Sequence, residues 1–125
     1  MQLLELSQER FLLVTIAGTQ HALKLVDVDR VIRRSSLIDW RGGGSVQAYT
    51  MVEGYLVWIV APAQLFVGFD RLLGRPSNWL IMLKDSEGLT RLGFLADDVR
   101  GPIGHARLGQ VGVLNRLEMQ TDEAR

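Results

Sequence analysis

The residues of this chain that could carry metal or acid–base chemistry are few, and they lie far apart in the sequence. The 125 residues include two histidines, His21 and His105, and no cysteine. Disulfides, thiolate catalysis and cysteine zinc sites are therefore excluded. The two histidines lie on different predicted elements without a third ligand nearby, whereas a metal site needs convergent ligands. We expect no metal site and no cofactor.

The best candidate pair of carboxylates is Asp97 and Asp98, which are adjacent in the sequence. Adjacent residues of a strand point to opposite faces, so the pair does not converge on one substrate. We interpret Asp97 as the cap of a short helical turn. Ser35, Ser36 and Ser77 have no neighbouring base, and no nucleophile-elbow motif surrounds them. The sequence predicts no catalytic residue, so we expect a protein that is not an enzyme.

Two further segments could bind phosphate or nucleic acid. The run Gly42-Gly43-Gly44 is not followed by the Lys-Ser/Thr of a phosphate loop, which favours a flexible loop. Arg30, Arg33 and Arg34 form a basic cluster without interleaved aromatic residues. Fourteen basic residues balance fourteen acidic ones, so charge does not favour nucleic acid as a partner. A small β-barrel that binds nucleic acid or a small ligand, or a structural subunit completed by a partner, is the alternative interpretation.

The composition is that of a globular domain, with 47% hydrophobic and 22% charged residues. The first residues carry Glu5 and Glu9 and lack the basic region of a signal peptide, and no apolar run is long enough for a transmembrane helix. We expect a cytoplasmic protein that does not insert into membranes. Residues 1–125 are predicted to form one domain, with a lead-in at 1–10, a first half mainly in 11–73 and a second half mainly in 79–119.

The elements that must position any site are mostly strands. The central prediction is a hairpin that turns at Glu53-Gly54, whose second strand, Tyr55 to Val60, is apolar on both alternating faces. Such a run is typical of a strand that is covered on both sides. Further strands are predicted at 11–16, 21–25, 79–83 and 89–96, with turns at 17–20 and 85–88, a loop at 35–45 in which Trp40 is an anchor, and a turn or short helix at 97–99.

One segment of the first half has a different period. Between Val26 and Ile32 the apolar residues fit one or two turns of helix, with Val26 and Ile32 reaching the core. In that helix Val28 and Val31 share a face, and Val28 has an outward aspect beside Arg30. Short strands separated by turn signals predict small barrels. The predicted core comprises Leu12, Val14, Leu23, Leu25, Val57, Ile59, Leu80, Met82, Phe94 and Leu95.

Three blocks of the sequence resemble CheW-like domains, in that family's order and at roughly its spacing. The first runs from Phe11 through Ala22-Leu23 to Val28 and Val31; the second is Val52-Glu53-Gly54 with the strand that follows; the third is Leu92 to Val99. The resemblance implies an all-β fold with a short helix, built as two small five-stranded β-barrels packed side by side. It also implies a non-enzymatic adaptor that couples chemoreceptor tips to the regulatory domain of a CheA-type histidine kinase. The protein-binding residues that it implies are Val28, Arg30, Val31, Val52, Glu53 and Gly54.

The chain departs from the family pattern at several of these positions. Glu53 stands where the family usually has arginine, and Arg30 stands where an acidic residue is common. Met51, Trp58 and Ala61 replace the usual Asn, Pro and Asp. The chain ends where the family continues with another hairpin, so we expect the second barrel to be incomplete. The strand at 79–83 or its neighbour would then have an open edge, which predicts a homodimer.

Overall fold

A computed structural model describes residues 9–34, 36–69, 78–84 and 88–117. Ser35, Ser77, most of the lead-in, the turn at 85–87 and the ends of both predicted halves lie outside these residues. The described chain contains short 3-10 turns and no longer helix, so the all-β fold class with little helix is confirmed. Its strands are β1 (Arg10–Ile16), β2 (Thr19–Lys24), β3 (Val28–Arg33), β4 (Ile38–Asp39), β5 (Val46–Val52), β6 (Tyr55–Val60), β7 (Trp79–Leu83), β8 (Thr90–Ala96) and β9 (Asp98–Gly104).

The strands form two sheets. A three-stranded sheet has the order β2-β1-β9, and a six-stranded sheet has the order β3-β7-β8-β6-β5-β4. The β6–β8 pair is parallel, and the other pairs are antiparallel. Each sheet combines strands from both halves of the chain, because β9 pairs with β1 while β7 and β8 lie beside β3 and β6.

The six-stranded sheet separates two apolar cores. Along β7, Ile81 and Leu83 join the core that also contains Leu12, Val14 and Leu23 of the three-stranded sheet. The alternate residues of β7, Leu80 and Met82, join a second core on the opposite face. This second core also receives Ile32 from the edge strand β3 and Ala48 from β5. The sheet therefore curves around the second core. The predicted core residues are buried, except that Leu25 and Leu95 are half-buried.

The central hairpin is confirmed. Strands β5 and β6 pair directly across the turn at Glu53 and Gly54, whose φ angles are +49° and +90°. Two successive positive φ angles are characteristic of the two-residue type I′ turn, whose twist matches that of the flanking strands. The first hairpin has the same kind of turn at Ala17 and Gly18, because Ile16 pairs with Thr19. The four-residue turn predicted at 17–20 is therefore wrong.

The predicted helix between Val26 and Ile32 is also wrong. Only Leu25–Asp27 forms a 3-10 turn, and the chain then enters β3, which pairs with β7. The register of this pair shifts between Val28 and Arg30. Such a bulge adds one residue on one strand and changes which side chains share a face. Val28 and Val31 consequently contact the same core although they are three residues apart, a spacing that resembles that of a helix.

The structure also reverses the predicted orientation of two valines. Val28 was expected to face outward, but only 7% of its surface is exposed. Val26, which was expected to reach the core, is 68% exposed. Val28 is buried because its position on β3 lies opposite Leu83 in the interior of the structure. Val28 therefore contributes to the core and does not present an apolar side chain to a partner.

The turn or helix predicted at 97–99 is replaced by the start of β9. Asp97 does not cap a helix. Its Oδ2 atom accepts a hydrogen bond of 3.0 Å from the backbone N–H of Ala17. The carboxylate therefore stabilises the first hairpin turn. Without it, the Ala17 N–H would need water as its hydrogen-bond acceptor.

The predicted open edge lies at a neighbour of β7, the strand β3, and not at β7 itself. The strand β7 pairs with β3 on one side and β8 on the other. Within the described residues, the sheet edges are β3 and β4 in the larger sheet and β2 and β9 in the smaller one. The edge of β2 receives residues 112–114, because the Ala22 N–H donates to the Gly112 carbonyl and the Leu114 N–H donates to the Ala22 carbonyl. The homodimer proposed to cover an open edge at β7 or its neighbour stays a prediction.

The reversed valines give a test of the strand assignment. We expect Val28→Ala to lower the free energy of unfolding by about 1–3 kcal/mol, since it removes buried methyl groups and leaves a cavity. Val26→Ala is the matched control and should change the free energy of unfolding by less than about 0.5 kcal/mol. Urea denaturation followed by circular dichroism measures both values. Equal effects of the two substitutions would contradict the assignment of β3.

Candidate protein-binding surface

The six residues predicted to bind a partner divide into two groups. Arg30, Glu53 and Gly54 reach solvent at one end of the six-stranded sheet. Val52 is only 7% exposed and belongs to the second core. Val31 is half-buried and packs, like Val28, against the core between the sheets. The three valines therefore fix the positions of the strands that carry the charged residues.

Arg30 and Glu53 form an ion pair with each other. The Arg30 guanidinium on β3 donates through Nη1 to Oε1 of Glu53 at the β5–β6 turn. This hydrogen bond is the main reason why the pKa of Arg30 is raised above its ordinary value. These are also the two positions at which the resemblance to CheW-like domains implies charges of the opposite sign. Within this chain the two charges compensate each other.

A second ion pair lies beside the first and is better covered. Arg91 on β8 donates through Nε to Oδ2 of Asp29 on β3 at 3.0 Å. The exposed fractions of these side chains are 15% and 20%, compared with 76% for the side chain of Glu53. A partly buried charge without its partner is more costly than an exposed one. We therefore expect the Arg91–Asp29 pair to be the more permanent of the two.

The ring of Tyr55 connects the two ion pairs. The Arg91 guanidinium carbon lies 4.3 Å from the ring centroid, and that of Arg30 lies 5.6 Å from it. Both distances are within the range of cation–π contacts. The parallel pairing of β6 and β8 places Arg91 opposite Val57. Tyr55 is two residues before Val57 on the same face, so it is the diagonal neighbour of Arg91. The charged cluster therefore comprises Asp29, Arg30, Glu53, Tyr55 and Arg91.

Sequence reasoning did not identify Asp29, Tyr55 or Arg91 as parts of this site. Asp29 and Arg91 are 62 positions apart in the sequence. Only the placement of both β3 and β8 beside β7 brings them together. No local motif contains that information, because the same two residue types would also suit exposed positions on unrelated strands.

Two exposed apolar side chains, Met51 and Leu89, lie on the segments on either side of β6. Met51 is 60% exposed and lies opposite Leu56 in the β5–β6 pair. On the other side of β6, Leu89 is 68% exposed, and its carbonyl accepts a hydrogen bond of 2.7 Å from the Leu56 N–H. Cross-strand partners share a face and successive residues of a strand alternate, so Met51 and Leu56 lie on the face opposite to Tyr55 and the charged cluster. The charged cluster, which reaches solvent at Arg30 and Glu53, is the candidate protein-binding surface.

An aromatic cluster lies on the outer face of β4, β5 and β6. Trp40 contacts Trp58 at a ring-centroid distance of 5.2 Å, and Tyr49 lies 5.8 Å from Trp58. The Trp40 Nε1–H donates to the Gly43 carbonyl, and an added Cβ atom at Gly42 would overlap the Trp40 ring. The prediction that Trp40 anchors this loop is therefore confirmed.

The remaining chemical candidates do not converge. His21 contacts Phe69 at 4.8 Å and His105 contacts Phe11 at 6.0 Å, measured between ring centroids. Burial lowers the pKa of His21 below its usual value. No group of three or more potential metal ligands occurs among the described residues. Within the same part of the chain, we find no helix with the length and hydrophobicity needed to span a membrane.

The difference between the two ion pairs gives a stability test. Asp29→Asn should lower the free energy of unfolding by about 1–3 kcal/mol, because the charge of Arg91 is left in a partly buried position with a weaker acceptor. Glu53→Gln should lower the free energy of unfolding much less, because water can solvate Arg30 when the exposed ion pair is lost. Thermal and urea denaturation at low salt compare the two variants. A larger loss in the Glu53 variant would contradict this ranking.

Comparison with known proteins supports the fold and leaves the family assignment at the level of resemblance. Searches of family models and of curated proteins find no match to this chain. Among solved structures, it is similar to the scaffolding protein TtCheW from Thermoanaerobacter tengcongensis, with a TM-score of 0.58 and 15% sequence identity. The similarity covers 77% of this chain and 64% of TtCheW, so this chain matches less than two thirds of that protein's length. The chain therefore has a CheW-like fold.

Proposed function

We propose that this protein is a non-enzymatic, cytoplasmic signalling adaptor that couples chemoreceptors to a CheA-type histidine kinase. The observation that carries the proposal is the CheW-like fold, since TtCheW is a scaffolding protein. The order of the three CheW-like blocks in the sequence supports the same proposal. A fold alone does not determine function, so the proposal also needs a surface that is suited to a protein partner.

The charged cluster supplies that surface. Arg30 and Glu53 are its accessible members, and Gly54 follows Glu53 in the same turn. The supporting residues beneath them are Val28, Val31 and Val52. The side chain of Glu53 is 76% exposed. Charged side chains that reach solvent fit the polar rim of a moderate interface. Contacts of this kind bind a folded partner without any reaction.

The direct experiment measures binding to the proposed partners. The full chain should bind the regulatory domain of a CheA-type kinase from the same genome, as measured by isothermal titration calorimetry. Glu53→Arg should weaken binding of the kinase domain or of a receptor tip by about fivefold or more, because it places two like charges together and removes a contact.

The matched control is Asp98→Arg, which changes another exposed, ion-paired carboxylate on the three-stranded sheet. It should leave the affinity unchanged, and circular dichroism should show that both variants retain the fold. Absence of binding to both the kinase domain and the receptor tip would contradict the adaptor proposal. Retention of a bound nucleic acid through purification would favour the alternative of a nucleic-acid-binding barrel.

A further inference from the structure

The outer face of β4, β5 and β6 is apolar. The strand register joins Ile38, Tyr49 and Trp58 in one row across the three strands. Met51 and Leu56 are paired in the next row. Cross-strand partners share a face and successive residues alternate, so both rows lie on one side of the sheet, while the alternate residues of β5 and β6 enter the second core on the other side. With the Trp40 ring added by its contact with Trp58, the outer apolar face comprises Ile38, Trp40, Tyr49, Met51, Leu56 and Trp58.

Much of this outer apolar face reaches solvent. Met51 is 60% exposed, Ile38 is 54% exposed and Trp40 is 38% exposed. Towards the middle of the sheet, Trp58 lies opposite Leu92 of β8, which packs against the core between the two sheets. The outer apolar face is therefore the exposed continuation of the apolar surface that the three-stranded sheet covers. Contiguous exposed apolar patches mark interaction sites, whereas single exposed apolar side chains do not.

The outer apolar face carries no charged side chain. On β8 the two rows continue with Leu92 and Thr90, which are also uncharged. The charged cluster, by contrast, lies on the opposite face of the sheet and contains both cations and anions. In a two-fold dimer the same patch is used by both subunits, so a charge near the centre of the patch is brought close to its own copy. An uncharged patch avoids this repulsion and is therefore suited to pairing with itself.

The charge of the whole chain also permits self-association. Fourteen basic residues balance fourteen acidic ones, so two copies do not repel each other through their net charge. A strongly charged partner would find no opposite charge on this face. Aromatic side chains and methionine are enriched in protein interfaces, and this face has both. We propose that the outer apolar face binds the same face of a second copy of this chain, which gives a two-fold symmetric dimer.

This interface differs from pairing at the open edge of β3. The strand β3 lies at the opposite end of the six-stranded sheet from β4. The charged cluster lies on the other face of the sheet, so contact between two outer apolar faces leaves that cluster accessible in both copies. The dimer therefore presents two charged clusters, one from each copy. The inference does not depend on what the charged cluster binds.

The experiment measures the mass and the contact residues of the full chain in solution. Sedimentation velocity covers concentrations from about 5 to about 500 µM, because a small interface gives a dimer that dissociates on dilution. The mass should rise towards that of two chains as the concentration increases. In nitrogen-15 spectra recorded at both ends of the range, the shifts that change should be those of Ile38, Tyr49, Met51 and Trp58, and those of β3 should stay constant.

Two variants place a charge in the outer apolar face. Ile38→Lys and Met51→Lys should each raise the dissociation constant of the dimer about tenfold or more, because symmetry repeats the charge in the second copy and the ammonium group loses water. Val26→Lys is the matched control, since Val26 is 68% exposed and lies in the 3-10 turn before β3. It should leave the dissociation constant unchanged. Circular dichroism checks that all three variants keep the fold.

Several results would overturn the inference. These are a chain that stays monomeric over the whole range, a dimer that neither lysine variant weakens, and shift changes confined to β3, which would support pairing at that edge. A monomeric chain whose binding to the kinase domain is weakened by Met51→Lys would assign the face to that partner instead. If the kinase domain does not bind and the dimer still responds to both lysine variants, the adaptor proposal fails and this inference stands.

Discussion

The structure depends on β7 being buried on both faces at once. Leu80, Ile81, Met82 and Leu83 are all completely buried, although alternate residues enter different cores. Burial of four large apolar side chains on one short strand is a large favourable contribution to the free energy of folding. Such burial requires a paired strand on each side of β7 and an apolar layer on each face of the sheet. The three-stranded sheet supplies one layer, and the curvature of the six-stranded sheet around its own core supplies the other.

The same burial sets the spacing of the strand that carries Arg91. At Gly93 on β8, an added Cβ atom would lie 2.9 Å from the Ile81 carbonyl oxygen and 3.1 Å from side-chain atoms of Leu80 and Val57. The strands therefore approach closely at this residue, where a side chain would force them apart. Arg91 is two residues away on the same strand. Its distance from Asp29 is thus set by backbones that pack through β7, so the ion pair forms without ordering a mobile loop.

The strands and the core could be predicted from the sequence because their signals are local. The Glu53-Gly54 turn, the apolar run at Tyr55 to Val60 and the segment 79–83 each indicate their structure within a few residues. The helix predicted at 26–32 is wrong for a physical reason. The bulge between Val28 and Arg30 gives a strand the apolar spacing of a helix. The site could be predicted only in part. Arg30 and Glu53 could be identified because the resemblance implies other charges at these two positions. Asp29 and Arg91 could not be identified, because they are brought together by the pairing of β3 and β8 with β7, and no local sequence pattern predicts that pairing.

The Arg30–Glu53 pair shows why differences between a chain and a family should be examined in pairs. Considered separately, a reversed charge at each position suggests that the binding surface has lost its partner or gained a new one. The structure shows that the two side chains contact each other, so their opposite charges attract β3 to the β5–β6 turn. Changing the sign of only one of them would place like charges together, which is unfavourable. At the tip of the turn, the more exposed member of the pair is the anion.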